Sequence, residues 1–183
     1  MQQCQQKGSD IAFPLTVDGI AGTPFSCFVS FERLNPITAG KVVAATDYDA
    51  LFDIPKHKYK LISTWALATA KQAKGVIWPS RALICEASSP HLYFRTTKDR
   101  SIIAGEEDET FLNAKHRDKL IGEKAKLVLA KLKMILPNID GKAEFRWAGT
   151  FAASPTGLPC IGPVPGRANV FAILGAGGNG ITF

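Results

Sequence analysis

The clearest pattern along the chain is an alternation from Tyr59 to Thr69, in which the odd positions carry Tyr, Leu, Ser, Trp, Leu and Thr. Because residues two apart in a strand share a side, this segment predicts a β-strand. His91–Thr97 and Ser101–Ala104 flank a short polar turn and predict a β-hairpin. Shorter runs rich in β-forming residues predict further strands at 25–31, 76–78, 82–85 and 142–147.

Two other runs are short and continuously apolar instead of alternating. They are Lys41–Thr46 and Asn169–Leu174. A continuous apolar run of this length is typical of a strand that is buried on both faces, as in parallel sheets. We therefore predict that these runs form a separate, parallel layer.

A helical pattern covers Glu107–Ile135. Apolar residues recur every three or four positions from Leu120 to Ile135, and lysines fill the other face. Pro137 ends the helix, and Gly122 either weakens it or divides it from a shorter one. The acidic run 106–109 precedes the helix and would suit its positive end.

The order of these elements is mainly strands, then one helix, then strands. It favours an α+β fold with a mostly antiparallel sheet and a long helix on one face. We predict two divisions of the chain: an irregular N-terminal segment with one strand at 1–40, and a domain at 41–183 that includes the apolar strands 41–46 and 169–174. The Pro- and Gly-rich stretch 154–166 is interpreted as a loop.

Composition and charge narrow the class of protein to which the chain can belong. The chain has 183 residues, a hydrophobic content of 46% and a net charge of +6. The basic excess lies largely between residues 115 and 133, among acidic residues and without aromatic partners, so we interpret it as a solvated helix face and expect no nucleic-acid partner. No apolar run reaches the length of a membrane helix, and the N-terminus has no apolar signal-peptide core. We expect a cytoplasmic protein without a membrane partner.

Candidate chemistry is concentrated near the C-terminus. The strand at 169–174 is followed by Gly175, Gly177, Gly178 and Gly180, and Thr182 stands where a helix could begin. Such a loop can bring backbone N–H groups close to an anionic or electron-rich ligand, although a plain turn would look the same. The four cysteines and three histidines are scattered, so no metal site is predicted. No residue set for nucleophilic catalysis is present in the sequence.

Four segments in order resemble the second half of FAD-dependent oxidoreductases of the glycine oxidase and D-amino-acid oxidase type. Together they span about three quarters of the chain, from residue 40 onward. They are Val42–Tyr48, Leu92–Glu106, Arg146–Phe151 with Pro155–Gly162, and Gly177–Phe183. The resemblance implies that strands 41–46 and 169–174 are left from an incomplete FAD-binding α/β layer, and that the rest is a substrate domain.

The resemblance also implies a cofactor, a substrate class and site residues. FAD would be the cofactor, and an amino acid or secondary amine the substrate. The cofactor-binding residues would be Thr46, Gly177, Gly178, Asn179, Gly180, Ile181 and Thr182. Tyr93 and Arg95 share one side of the hairpin strand, where the arginine could pair with a substrate carboxylate or could be a plain surface residue. No catalytic residue is assigned.

The departures from the family pattern matter equally. The family opens with a GxGxxG motif between its first strand and first helix, and no such motif opens this chain, whose glycine-dense segment is at the opposite end. Asp47 stands where the family usually has glycine. We therefore interpret the chain as truncated, with FAD absent or weakly bound by the chain alone. A complementary FAD-binding half or a homodimer would be its partner. The alternative is a non-enzymatic domain derived from that family, which binds a small molecule or self-associates.

Overall fold

A computed structural model describes residues 8–54, 58–87, 91–110 and 113–177. These residues form three sheets and two helices. The N-terminal sheet contains β1 (Val17–Gly22), β2 (Cys27–Phe31) and β3 (Leu34–Ala39). The mixed sheet contains β4 (Val42–Ala44), β10 (Cys160–Pro163) and β11 (Val170–Leu174). The five-stranded sheet contains β5 (Lys60–Thr69), β6 (Ile84–Cys85), β7 (Tyr93–Thr96), β8 (Ile102–Thr110) and β9 (Ala143–Ala153). The helices are α1 (Ala114–Lys119) and α2 (Ile121–Ile135).

The five-stranded sheet is antiparallel throughout and has the strand order β6-β7-β8-β5-β9. Helix α2 packs against one side of it, on β5, β8 and β9. The main core lies between them, and its fully buried members are Leu67, Leu92, Phe94, Ile102, Ala104, Val128 and Leu132. The predicted α+β class is confirmed, and so is the predicted hairpin, which β7 and β8 form. Within the described residues, neither helix is long and apolar enough to cross a membrane.

The predicted start of the helical region is wrong. Residues 107–110 continue strand β8, and α1 begins after Asn113, whose side-chain oxygen accepts the His116 N–H at 2.8 Å. A short polar side chain that accepts an N–H of the first turn is the preferred N-cap. The helical stretch is divided at Leu120, beside Gly122.

The acidic run therefore lies on a strand, not at a helix end. Between the pairs Ser63–Glu109 and Trp65–Glu106 the register shifts, so that two residues of β8 oppose one of β5. Glu107, inside this bulge, has a left-handed φ of 67°. A bulge re-aims side chains, and here Glu106, Glu107 and Glu109 all reach lysines of α2.

Three further expectations from the sequence need correction. Residues 8–40 hold three strands, where one was predicted for 1–40, because β1 and β3 both pair with β2 across Gly- and Pro-containing segments. Residues 76–78 form a turn rather than a strand, and the Trp78 indole N–H donates to the Ala82 carbonyl at 3.0 Å. The supposed loop 154–166 contains β10.

The mixed sheet joins the two apolar runs. Strand β11 pairs in parallel with β4, with Val170 opposite Val42 and Ala172 opposite Ala44, and it pairs antiparallel with β10. Its inner face packs against the N-terminal sheet in a second core centred on Cys27, Val164, Val170 and Ala172. The two runs are thus neighbours in one layer.

Candidate functional site

Three strand ends meet beside the parallel pair. Strand β4 leads into Thr46 and Asp47, β9 ends at Ala153, and β11 leads into Gly175. A bridge between Ala153 and Ala176 joins the end of β9 to the residues that follow β11. In α/β sheets, ligands bind beyond the carboxyl ends of parallel strands. This junction is therefore the first candidate site.

Asp47 holds the junction together. One carboxylate oxygen accepts the Gly175 N–H at 2.9 Å, and the other accepts the Ala152 N–H at 2.9 Å. Asp47 has a φ of 52°, a left-handed conformation that aspartate tolerates better than most side chains. A single residue therefore ties the end of β4 to both β9 and β11.

Two glycines that follow β11 have left-handed backbone conformations. Gly175 and Gly177 have φ values of 67° and 60°, which residues with a Cβ rarely adopt. Thr46 is exposed, and its carbonyl accepts the Asp49 N–H at 3.2 Å, so it starts a turn. The remaining predicted cofactor residues lie outside the described residues: Gly178, Asn179, Gly180, Ile181 and Thr182.

A cavity of about 380 Å³ opens next to Asp47. Its walls are mainly apolar, with Phe52, Val164 and Leu174 among them, and a cavity of this size suits a small molecule or one ring system. Two carboxylates, Asp47 and Asp53, also line it.

This donor set does not fit the pyrophosphate of FAD. Phosphate sites need free backbone N–H groups or basic side chains. Here the Gly175 N–H is taken by Asp47, and the Asp47 and Asp53 carboxylates would repel an anion. Lys58 is the one basic side chain along the cavity wall in the described part of the chain. The described lining of this cavity therefore does not suit the pyrophosphate.

The second candidate site is the face of the five-stranded sheet that α2 leaves open. Register places Tyr93, Gly105, Ala66 and Trp147 in one row across four strands. The two middle residues are small and buried, and the two outer ones are large. We name this row the trough: Ala66 forms its floor, the Tyr93 ring lies over Gly105 on one side, and Trp147 stands on the other side. Trp65, by contrast, is a core residue on the helix side.

Tyr93 and Arg95 lie on the trough side of β7, opposite the buried Phe94. Arg95 is exposed, and its register partner is Ile103. Burial raises the pKa of the Tyr93 hydroxyl; the hydrogen bond with Thr64 opposes this effect, and the charge of Asp108 adds to it. Tyr93 therefore stays protonated over a wide pH range and can donate a hydrogen bond.

The structure keeps the two groups of predicted site residues apart. Three strand spacings separate β7 from β9, which is roughly 14 Å across the sheet. Ala152 lies five residues beyond Trp147 on β9, roughly 17 Å along the strand. Tyr93 and Arg95 thus belong to one surface, and Thr46, Asp47 and Gly177 to another.

Sequence reasoning missed the small residues of the trough and the contacts of Asp47. Gly105 is needed because a Cβ there would overlap the Tyr93 ring. Its place opposite Tyr93 could be inferred from the hairpin register, since residues on paired strands meet at fixed offsets. No local signal could find the partners of Asp47, which are 105 and 128 residues away.

These features define an α+β protein. The helix covers one face of its antiparallel sheet and leaves the other open, and this sheet adjoins a parallel strand pair that leads into glycines. The model of the FAD dependent oxidoreductase family matches residues 1–183. The chain therefore belongs to that family. A search of curated protein sequences finds no match.

Solved structures share the fold at low sequence identity. L-proline dehydrogenase from P. horikoshii superposes with a TM-score of 0.73 at 19% identity, over 98% of this chain and 48% of its own. Glycine oxidase from Geobacillus kaustophilus gives 0.67 at 15% identity, over 91% and 44%. FAD-bound L-alpha-glycerophosphate oxidase from Mycoplasma pneumoniae gives 0.75 at 14% identity, over 99% and 50%. The chain thus spans about half the length of these proteins.

Proposed function

We propose that this chain is the substrate-binding half of a FAD-dependent oxidoreductase that acts on a small amino acid or amine. The observation that supports this best is the trough with Arg95 beside it. An exposed guanidinium presents a planar fork of N–H donors that matches a carboxylate. Trp147 offers an apolar wall, because it is 42% exposed on the same face.

The residues of this chain would bind and orient the substrate. Arg95 would hold the carboxylate, and the Tyr93 hydroxyl would donate to a polar group of the substrate. The Tyr93 ring covers Gly105, so the substrate would lie over the small residue Ala66, between that ring and Trp147. Oxidation itself would belong to the FAD of the completed protein, since the described lining of the cavity does not suit the pyrophosphate.

A binding titration tests the proposal. The purified chain is titrated with L-proline, glycine or iminodiacetate, and tryptophan fluorescence reports occupancy of the trough. Pyrrolidine serves as the matched ligand without a carboxylate. We expect binding of at least one carboxylate ligand, with pyrrolidine weaker by about 10-fold or more, because a hydrogen bond to a charged group contributes about 1.5–3 kcal/mol.

Two variants complete the test. Arg95→Gln removes the fork and should weaken carboxylate binding to the level of pyrrolidine. Arg33→Gln changes an exposed arginine of the N-terminal sheet and should leave binding unchanged. Equal binding of proline and pyrrolidine, or an effect of Arg33→Gln as large as that of Arg95→Gln, would refute the proposed role of Arg95.

A further inference from the structure

The open face of the five-stranded sheet also has a groove that runs along β5, across the direction of the trough. Ala68, Ala66 and Thr64 lie on this face of β5, because the residues between them are buried on the helix side. All three side chains are small, so the middle of the sheet is lower than its surroundings. We name these three residues the groove floor.

Aromatic side chains flank the groove floor on both sides. Register places Phe145 opposite Ala68 and Trp147 opposite Ala66, and both aromatic residues are exposed on β9. The Tyr93 ring, which lies over β8, forms the other side. Aromatic rings supply large apolar surfaces, so the space between them suits the alkyl chain of a ligand.

Opposite charges stand at the two ends of the groove. Arg95 belongs to the Ala68 end, because both residues lie level with Ile103 of β8. Asp108 belongs to the Thr64 end, because the bulge in β8 sets it level with that residue. A ligand that lies along the groove floor therefore meets a cation at one end and an anion at the other.

Asp108 faces the open side of the sheet. The next residue, Glu109, reaches Lys124 of α2, and neighbouring residues of a strand point to opposite sides. Burial is the main reason why the pKa of the Tyr93 hydroxyl is raised, and the charge of Asp108 adds to it, which requires the carboxylate to lie near the hydroxyl. Asp108 is exposed and forms no salt bridge within the described residues. Its carboxylate is thus open to a ligand.

The spacing of the two charges limits the ligand. Ile103, which is level with Arg95, and Asp108 are five residues apart on β8, and the bulge absorbs one of these steps. The Cα atoms of Arg95 and Asp108 are therefore roughly 14 Å apart. The ammonium and carboxylate of an α-amino acid share one carbon and cannot reach both. A carboxylate and a cation at opposite ends of an alkyl chain can.

We propose that the groove selects amino acids whose side chain ends in a cation, such as L-lysine, and that Asp108 is the specificity-determining residue. Arg95 holds the α-carboxylate, the alkyl chain lies over Ala66 beside Trp147, and the terminal ammonium donates hydrogen bonds to the Asp108 carboxylate. The inference rests on the proposed function, because it uses the same Arg95, and it names the kind of side chain that the site takes.

A matched pair of ligands tests the proposal. L-lysine and L-norleucine share the α-carboxylate and the alkyl side chain, but only L-lysine ends in an ammonium. Each is titrated calorimetrically into the purified chain at neutral pH. We expect L-lysine to bind about 5-fold more tightly, which is the upper range for an ion pair with an exposed carboxylate. The preference should shrink at high salt, because salt screens exposed charges.

A pair of variants assigns the preference to one residue. Asp108→Asn removes the charge and keeps the size of the side chain, so the affinity for L-lysine should fall to that for L-norleucine, which should not change. Asp49→Asn alters an exposed aspartate of the turn after β4 and should leave the preference intact. Circular dichroism shows whether each variant still folds.

Three results would overturn the inference. They are equal affinities of the wild-type chain for the two ligands, a preference for L-lysine that survives Asp108→Asn, and a loss of L-norleucine binding in that variant. If both ligands bind equally and Arg95→Gln weakens both, only the role of Asp108 fails. If neither ligand binds the folded wild-type chain, the proposed role of Arg95 fails with it.

Discussion

Asp47 is the residue on which the candidate junction most depends. After the end of β4, this chain places a carboxylate that accepts the backbone N–H groups of Ala152 and Gly175. Hydrogen bonds to a charged group contribute about 1.5–3 kcal/mol each when they are shielded from water. Asp47 is half-buried, so its contribution lies toward the lower part of that range.

Replacing Asp47 by alanine and by glycine separates its two roles. Both variants lose the acceptors for Gly175 and Ala152, and we expect each to lower the free energy of unfolding by about 2–3 kcal/mol. Alanine should cost about 1 kcal/mol more than glycine, because the left-handed φ of 52° strains any residue with a Cβ. Urea unfolding of the three proteins measures the order.

A stability of Asp47→Gly equal to that of the wild type would mean that water replaces the carboxylate without loss. Equal stabilities of the alanine and glycine variants would mean that backbone strain is absent. Asp49→Ala is the control, since Asp49 is an exposed carboxylate in the same turn.

At the scale of residues, the sequence predicts which side of a strand a residue lies on better than it predicts which residue lies opposite on the neighbouring strand. The rule that residues two apart share a side of a strand placed Tyr93 and Arg95 together, and they do lie together opposite Phe94. The same rule says nothing about which strand lies opposite. The separation of Arg95 from Gly177 follows from the strand order β7-β8-β5-β9, which no local pattern encodes.

At the scale of elements, the strongest electrostatic interactions are the salt bridges between β8 and α2. The bulge at Glu107 turns adjacent carboxylates toward the helix, where Lys131 contacts Glu107 at 2.6 Å and also pairs with Glu106. Burial alone would raise the pKa of Glu107. The hydrogen bond with Lys131 and the charges of Lys131 and Lys124 outweigh that effect and hold the pKa below its ordinary value of 4.5.

The lowered pKa predicts acid sensitivity of this joint. The unfolded chain binds a proton at Glu107 more readily than the native one, so native stability from this group is present above pH 4.5 and is lost as the pH falls through the lower native pKa. We expect Glu107→Gln to be less stable than the wild type at neutral pH, with the difference shrinking as the pH falls below 4.5. Urea midpoints measured across this range test the expectation.

Glu32→Gln provides the control, because Glu32 is exposed in the N-terminal sheet. This variant should be about as stable as the wild type at neutral pH, where Glu107→Gln is less stable. Lys131, the basic member of this ion pair, titrates over a different pH range. Hydrogen bonds to Glu106 and Glu107 raise the pKa of Lys131 above its ordinary 10.5, so its contribution persists until the pH rises past the raised value. A pH-independent effect of Glu107→Gln would contradict the ion-pair account.

The errors in predicting elements have physical causes. The acidic run stands next to a helical pattern, and helix periodicity cannot mark the residue at which a strand ends. The bulge that keeps Glu107 in β8 depends on pairing with β5, which is remote in sequence. Strands β3 and β10 contain Pro36 and Pro163, residues that weaken a strand pattern, and both strands lie at sheet edges, where proline is tolerated. The long strand β5 was predictable because its residues alternate, so that its two faces carry different kinds of side chain.

At the scale of the whole molecule, the mixed sheet is the joint between the other two. The N-terminal sheet covers its inner face. Asn169 donates to the Thr23 carbonyl at 2.9 Å from the loop before β11. On the other side, Asp47 and the Ala153–Ala176 bridge connect it to the five-stranded sheet. The same sheet therefore carries the glycines after β11, one wall of the cavity and an exposed apolar outer face with Val43, Ile161 and Ile173.

This arrangement predicts how the chain alone treats FAD. The cavity by Asp47 can accept a ring but offers two carboxylates where a pyrophosphate would need donors, and the amide best placed to help is already occupied. Two acidic side chains facing a dianionic group disfavour binding, and salt screens them only in part because Asp47 is half-buried. We expect less than one tenth of a flavin per chain after the protein is incubated with excess FAD and desalted, as measured by flavin absorbance.

The complex with a dinucleotide-binding half should retain about one flavin per chain, since that half would supply the phosphate site. Stoichiometric flavin on the isolated chain would show that Gly175 and its neighbours exchange the Asp47 carboxylate for the cofactor, and the assignment of Asp47 as a fixed clamp would fail with it.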